Sequence, residues 1–312
     1  MTEPQQGLSY EEILAAARTA EEAGLEAFFR SDHYASFPGK EGLTTTDAWT
    51  TIGGLARETQ RIRLGVLVSP VTFRIPGQLA KVIQTADQMS GGRVEAGFGA
   101  GWNQAEHDQL GIPFPDIGAR YAKLEEQMAI IHGLWTEPDG WRFEGRYWQV
   151  RGSKRHGPIA SRDRRHPHIL FGGKGGPRLA RIVARYGDEF NLNSASPDDA
   201  VRAYRNVREA CTAEGRDPDG IVYSAMTGAL VAETQAELRD RVRELLDALG
   251  QGGADAEGWL AQRRHRWIMG TPDEAHERVR ALEAQGTQRV MLQDFLPRDL
   301  DMIRLMGRVF AA

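Results

Sequence analysis

The densest set of side chains that could do chemistry lies in residues 93–135. A short apolar run, Val94 to Phe98, ends in the sequence Gly99-Ala100-Gly101. The loop that follows carries aromatic, amide and ionisable side chains, namely Trp102, Asn103, Glu106 and His107. Glycine lets a backbone approach a ligand closely, and functional side chains are common on loops held by a rigid scaffold. We therefore predict the floor of a binding pocket here, with an ordinary strand-to-helix turn as the alternative.

Composition narrows the class of protein and of partner. The chain has 312 residues, 41% of them hydrophobic and 26% charged, with a net charge of −4. Nucleic-acid binding is not expected, because phosphate recognition needs a basic surface. The single cysteine, Cys211, excludes a disulfide framework. No apolar run reaches the roughly 20 residues of a membrane span, and the N-terminus lacks a signal-peptide pattern. We expect a cytoplasmic protein with a small-molecule substrate, and a homodimer is left open.

Strands and helices alternate along the chain. Seven apolar runs are predicted strands: 25–29, 62–68, 94–98, 167–171, 188–191, 221–226 and 289–293. Repeated βα units imply a parallel sheet, and this many in one domain, residues 1–312, predict a (β/α)8 TIM barrel. When a first strand ahead of these seven is counted, insertions are predicted after the fourth and seventh barrel strands, at 136–165 and 250–264. A doubly wound sheet is the alternative, but polar groups gather at the strand ends, which share one face in a barrel.

We predict that the first strand of this barrel is missing or truncated. Only Thr2-Glu3-Pro4-Gln5 precedes the helix that begins near residue 10. We infer that the printed start is internal or that the strand has been lost. Without that strand, its neighbours would expose unpaired edges, which favours disorder or oligomerisation.

Several blocks of sequence, in order, resemble the bacterial-luciferase-like monooxygenase superfamily. They are SDHY, LGVLVSPVTFR, GAGWNQAEH, HPHILFGGKGGPRLARIVARYGDEFN and GTPDEAHERVRALEAQGTQRVMLQ. Within the superfamily they are most similar to the branch that uses the deazaflavin coenzyme F420. The resemblance covers about residues 3–310 and implies the same barrel fold.

The resemblance implies roles for residues near the cofactor ring. In the Asp32-His33 motif, the histidine lies beside the deazaflavin ring and acts as acid or base. Leu67–Val68 matches a bulge whose non-proline cis peptide supports the ring. The segment Gly101 to Glu106, which includes Asn103, matches the loop over ring and substrate. Some relatives carry a catalytic glutamate where this chain has Trp102, so the catalytic candidates are His33, Glu106 and Trp102.

A glycine-rich segment is implied to hold the phosphate of the cofactor. It consists of Gly172, Gly173, Lys174, Gly175 and Gly176, ahead of Pro177. Glycine amides at a helix N-terminus form an anion site, and Lys174 adds positive charge. The acidic tail of F420 is expected to be attracted by cations at the barrel mouth, namely Lys40, Arg74, Lys174 and Arg178. A run of basic residues is predicted to be either a solvated loop or a surface that attracts an acidic cofactor tail or substrate: Arg151, Lys154, Arg155, Arg162, Arg164 and Arg165.

The predicted function is that of an F420-dependent oxidoreductase, which transfers hydride between F420 and a small organic substrate. The first alternative is an FMN-dependent luciferase-like monooxygenase, since it would share every block. A non-catalytic flavin-binding relative is another. A metal-dependent barrel hydrolase would use His33, His107, Asp294 and His132, but these lack metal-ligand spacing. No metal site is therefore expected.

Overall fold

A computed structural model describes residues 1–154, 160 and 165–311. Its strands are β1 (Ala27–Arg30), β2 (Arg63–Pro70), β3 (Val94–Gly99), β4 (Phe143–Glu144), β5 (Gln149–Val150), β6 (His168–Gly173), β7 (Glu189–Asn193), β8 (Val222–Val231), β9 (Ile268–Gly270) and β10 (Arg289–Gln293). Its α-helices are α1 (Tyr10–Glu22), α2 (Ala48–Glu58), α3 (Pro76–Ser90), α4 (Gln104–Leu110), α5 (Ile117–Thr136), α6 (Pro177–Tyr186), α7 (Pro197–Ala213), α8 (Gln235–Ala248), α9 (Ala256–Arg263), α10 (Pro272–Glu283) and α11 (Leu300–Phe310). Three residues of the predicted basic run, Arg155, Arg162 and Arg164, lie outside the described residues.

The strands form one curved parallel sheet, which confirms the predicted barrel class. Its order is β1-β2-β3-β6-β7-β8-β10, and β9 pairs with the far end of β8. Each strand of this order is followed by a helix or loop that returns to the next strand, as βα units require. The antiparallel pair β4–β5 lies in the predicted insertion after the fourth barrel strand.

The N-terminal residues stand where the predicted first strand would lie. Thr2 forms parallel bridges to Arg30 on one side and to Asp294 on the other. A 3-10 turn begins at Pro4, so the pairing does not extend further along the chain. Within the described residues, the strand pairing at this place is limited to Thr2.

The seventh barrel strand is longer than predicted. The prediction ended at residue 226, because Thr227 and Gly228 interrupt the apolar run, but β8 continues to Val231. The Trp267 ring packs where a side chain at Gly228 would lie, so the glycine serves a close contact inside a strand. The predicted insertion at 250–264 contains α9, and the short β9 after it was not predicted.

The interior and the outer layer of the barrel are both apolar. A small cluster fills the interior: Phe29, Leu67, Leu170, Met226 and Met291. A larger cluster lies between the sheet and the surrounding helices. Because β1, β2, β3 and β6 are adjacent and parallel, the loops after their carboxyl ends meet at one edge. Within the described part of the chain, no helix is both long and apolar enough to span a membrane.

Candidate active site

A histidine–glutamate pair lies at the carboxyl edge of the sheet. His33 follows β1, and its Nδ1 lies 3.0 Å from Glu106 Oε1 and 3.2 Å from Oε2. The backbone N–H of Tyr34 also donates to Glu106 Oε2, at 3.0 Å. The Glu106 side chain is 2% exposed and that of His33 is 16% exposed. Glu106 therefore binds Nδ1, and none of the described residues hydrogen-bonds to Nε2 of His33, which can face a reactant.

Aromatic rings surround the same histidine. The Phe37 ring lies edge-on to His33, with 4.5 Å between centroids, and the Trp102 ring lies 5.8 Å away. The two rings also contact each other edge-to-face at 5.2 Å. Trp102 is 64% exposed, although most tryptophans in soluble proteins are largely buried. An exposed indole beside an ionisable group provides an apolar surface on which a planar ligand can stack.

Asp32 belongs to a buried ion-pair network. Its two carboxylate oxygens accept hydrogen bonds from Arg74, at 2.5 and 3.2 Å. Arg74 also binds Asp47 and the Tyr34 hydroxyl, and that hydroxyl donates to Asp47 at 2.6 Å. Burial raises the pKa of Tyr34, so the phenol stays protonated and keeps this bond. Burial alone would raise the pKa of Asp47, but Arg74 and Tyr34 lower it.

This network pairs the charges of two residues that the sequence analysis assigned to the cofactor. Arg74 is neutralised by two carboxylates and its side chain is 13% exposed, so it does not offer free charge to an acidic ligand. Asp32, predicted to bind the cofactor, has a fully buried side chain directed at Arg74. Together they fix the segment that carries His33, because Asp47 also caps helix α2. Arg178, another expected cation, is paired with Glu125.

The predicted cis peptide is present between Leu67 and Val68. It coincides with a shift in the β2–β3 register between Val66 and Ser69, which is the predicted bulge. The Val68 side chain packs against neighbouring glycines. A Cβ atom at Gly99 would lie 2.6 Å from Val68 Cγ2, and one at Gly172 would lie 2.8 Å from Cγ1. Only glycine at these two positions leaves room for this valine.

The loop after β3 turns at a left-handed glycine and is held by a buried histidine. Gly101 has φ +77°, a conformation that side chains other than hydrogen disfavour. His107 Nδ1 donates to the carbonyl of Asn103 at 2.7 Å, and its Nε2 lies 2.6 Å from Thr72 Oγ1. Both ring nitrogens are therefore used to hold the loop. The Asn103 side chain makes no capping bond to α4.

The segment 172–176 joins β6 to the N-terminus of α6. Gly176 precedes Pro177 and makes no side-chain cap, so the amides of the first helical turn stay available. Gly175 has φ +66°, and a Cβ atom there would lie 2.8 Å from Ala203 Cβ. The Lys174 ammonium donates to the carbonyl of Asn193 at 2.7 Å, and burial lowers its pKa. Free amides and an adjacent cation form a suitable site for a phosphate.

The residues of the metal-hydrolase alternative do not form a ligand set. His107 uses both nitrogens, and His132 contacts Thr136 on its own helix. Among the described residues, the one group close enough to share an ion is Glu95, His168 and Glu189. It lies at the amino ends of the strands, where Arg289 donates to both carboxylates. An arginine thus occupies the position that a cation would take.

Sequence reasoning found several parts of this site but not their arrangement. His33 and Glu106 were both candidates, yet their contact was not predicted. Phe37 and the Arg74 network were missed. The position of Asp32 and Arg74 after neighbouring predicted strands was a usable signal, because such ends meet in a barrel.

Comparisons with known proteins find relatives in sequence and in fold. The chain is 32% identical over 184 residues to an F420-dependent glucose-6-phosphate dehydrogenase of Amycolatopsis mediterranei. The aligned residues cover 59% of this chain and 53% of that protein. The chain therefore spans about half the length of the curated relatives it matches first.

Two solved structures share the fold across nearly the whole chain. An F420-dependent secondary alcohol dehydrogenase, in complex with an F420-acetone adduct, superposes with a TM-score of 0.80 at 19% identity, covering 97% of this chain and 95% of the other. The monooxygenase RslO1 from Streptomyces bottropensis superposes with a TM-score of 0.80 at 24% identity, covering 96% and 92%. Residues 1–289 match the sequence family described as luciferase-like monooxygenases. The chain belongs to the luciferase-like monooxygenase family.

Proposed function

We propose that this protein is an F420-dependent oxidoreductase that transfers hydride between the deazaflavin and a small organic substrate. The observation that carries the proposal is the His33–Glu106 pair, placed where the ends of β1, β2, β3 and β6 meet. F420-dependent relatives in both sequence and fold comparisons support the choice of cofactor.

The residues present fit such a cofactor at two places. The glycine segment 172–176 offers uncapped helix amides and Lys174 to a phosphate. The bulge at Leu67–Val68 offers an apolar surface at the adjacent strand end. When bound, F420 supplies or accepts the hydride, and the protein contributes binding, orientation and proton transfer.

The proton is handled at Nε2 of His33. Since Glu106 accepts from Nδ1–H, the neutral imidazole presents a bare Nε2, which can accept a proton from a hydroxyl group. In the opposite direction the protonated ring donates from Nε2. Phe37 and Trp102 place apolar rings beside His33, which favours an apolar reacting group. Trp102 cannot itself transfer a proton, which leaves His33 as the acid or base.

The proposal is tested by comparing F420 with FMN under anaerobic conditions. We expect F420 to bind at low salt, to bind more weakly as salt rises, and to change redox state with a ketone, secondary alcohol or enone. The variant Lys174→Ala should weaken binding, whereas Lys81→Ala, on an exposed lysine of helix α3 outside the site, should not.

A different result would favour the FMN-dependent alternative. Tight FMN binding, with product formation that requires oxygen and no association of F420 at low salt, would replace the proposed function with a monooxygenase.

A further inference from the structure

Three rings meet at nearly right angles at the carboxyl edge of the sheet. The planes of His33 and Phe37 are inclined by 79°, those of His33 and Trp102 by 75°, and those of Phe37 and Trp102 by 88°. The rings therefore form three sides of a corner, and their edge-to-face contacts stabilise this arrangement. A corner with one ionisable side and two apolar sides suits a polar reacting group that is attached to an apolar body.

The backbone on both sides of Trp102 is held in place. Gly101, with φ +77°, packs so closely that a Cβ atom there would lie 3.2 Å from Pro70 Cβ. On the other side, the carbonyl of Asn103 accepts a hydrogen bond from His107 Nδ1 at 2.7 Å. The Trp102 side chain itself is largely exposed, so most of the indole surface is available. A fixed and uncovered indole is a preorganised surface on which a flat ring can stack.

The charged groups around His33 favour a neutral ligand. The buried Glu106 carboxylate lies 3.0 Å from His33 Nδ1. An anionic group beside the His33 ring would face this carboxylate at short range, where like charges repel. Arg74, at the same edge of the sheet, is already held by Asp32 and Asp47. A phosphate or carboxylate on a substrate would have to compete with these two carboxylates for the charge of Arg74.

We propose that the substrate is an uncharged ketone or secondary alcohol whose reacting carbon carries an aromatic ring, and that Trp102 selects this ring. This substrate class rests on the proposed function and makes it more specific. A ring laid flat on the indole would lie nearly perpendicular to Phe37, so it can make a stacked contact and an edge-to-face contact together. Since the centroids of His33 and Trp102 are 5.8 Å apart, we expect the reacting carbon to be attached directly to that ring.

The carbonyl oxygen of such a ketone would meet His33. In the reductive direction the ketone carbon receives a hydride from reduced F420, which forms the new C–H bond. The second bond of the carbonyl breaks, and its oxygen takes the proton from Nε2 of the protonated His33 ring. The ketone gains two electrons and becomes a secondary alcohol. In the oxidative direction the same proton returns to Nε2.

Calorimetry on the full chain without cofactor compares three matched ketones. Acetophenone carries the aromatic ring, cyclohexyl methyl ketone has a similar size without an aromatic face, and para-acetylbenzoate adds a negative charge to acetophenone. We expect acetophenone to bind most tightly. Cyclohexyl methyl ketone should bind about two- to tenfold more weakly, as the loss of stacking predicts. The benzoate should bind at least about tenfold more weakly, because of the repulsion from Glu106.

Variants of Trp102 test whether the indole makes this selection. Trp102→Ala should remove the preference for acetophenone over cyclohexyl methyl ketone, both in calorimetry and in KM with reduced F420. The Kd for F420 should stay unchanged. Trp102→Phe, which retains an aromatic ring, should keep most of the preference. Val201→Ala, on an exposed valine of α7, is the control and should keep all of it.

Three results would overturn the proposal. The first is equal affinity of the unmodified chain for the two uncharged ketones. The second is a loss of F420 affinity in Trp102→Ala, since the indole would then stack on the cofactor. The third is reduction of F420 with glucose 6-phosphate but not with the alcohol of acetophenone, which would leave the proposed function intact. A failure of F420 to bind would contradict the proposed function, whereas the calorimetric comparison would still decide which ligands the corner selects.

Discussion

At the scale of residues, the proposed chemistry depends on one ring nitrogen. Among the described residues, His33 has no hydrogen bond at Nε2, because Glu106 binds its Nδ1. His107 is also an ionisable candidate in the sequence, but it is fully buried and both of its ring nitrogens are hydrogen-bonded. The structure therefore separates a candidate acid or base from a histidine that holds a loop.

Replacing His33 should affect turnover more than binding. We expect His33→Ala to lower kcat by about 10²–10⁴-fold, the usual contribution of general acid–base catalysis. The Kd for F420 should change little, since Lys174 and the glycine segment lie on other elements. Steady-state kinetics with a fluorescence titration would measure both quantities. Unchanged turnover would remove His33 from the mechanism.

Glu106 is expected to act as a positioning residue. Glu106→Gln retains size but replaces one acceptor oxygen with an NH2 group, which then faces either His33 Nδ1–H or the Tyr34 N–H. We expect kcat to fall by about tenfold or more, less than in His33→Ala, with KM nearly unchanged. Glu244→Gln, on an exposed face of α8, is the matched control. A loss that appeared only in KM would instead indicate contact with the substrate.

At the scale of elements, the close packing of three strand ends depends on the side chain of one valine. Val68 packs against Gly99 of β3 and Gly172 of β6, so the strands approach each other more closely than side chains would allow. We expect Gly99→Ala to lower the free energy of unfolding by about 1–3 kcal/mol, the usual cost of overpacking a core. Denaturant unfolding would measure this change.

A second variant distinguishes crowding from other causes. Val68→Ala in the Gly99→Ala background should recover part of the lost stability, because it removes the group that the new methyl meets. Gly77→Ala is the matched control, since a Cβ atom there has no neighbour within 4 Å. Additive effects of Gly99→Ala and Val68→Ala would contradict this explanation.

The order of the elements could be predicted from the sequence, but contacts between distant loops could not. Apolar runs predict the seven barrel strands, and capping residues with apolar periodicity predict the helices between them. The strand β9 was missed, since three residues carry too little pattern. His33 and Glu106 are 73 residues apart, and only the closure of the sheet brings them together. The resemblance suggested the bulge at Leu67–Val68, which periodicity alone does not indicate.

At the scale of the whole molecule, a charged network joins strands from both halves of the sheet. Arg289 of β10 donates to Glu95 of β3 and to Glu189 of β7, and Glu189 also contacts His168 of β6 at 2.9 Å. The network lies at the amino ends of the strands, opposite the candidate active site. It links strands that are not neighbours, so its loss would weaken the barrel as a unit.

This network should make stability depend on acid pH. Burial would raise the pKa of Glu95, but the charge and hydrogen bonds of Arg289 lower it from 4.5 to about 2. Because the folded-state pKa is depressed, its contribution of about 3 kcal/mol is present above pH 4.5 and is lost as the pH falls towards 2. Urea unfolding of the chain and of Glu95→Gln between pH 5 and pH 2.5 would measure it. We expect the variant to be less stable at pH 5 and the difference to shrink as the pH falls. A difference that stays constant across this range would mean that Glu95 is not ionised in the folded protein.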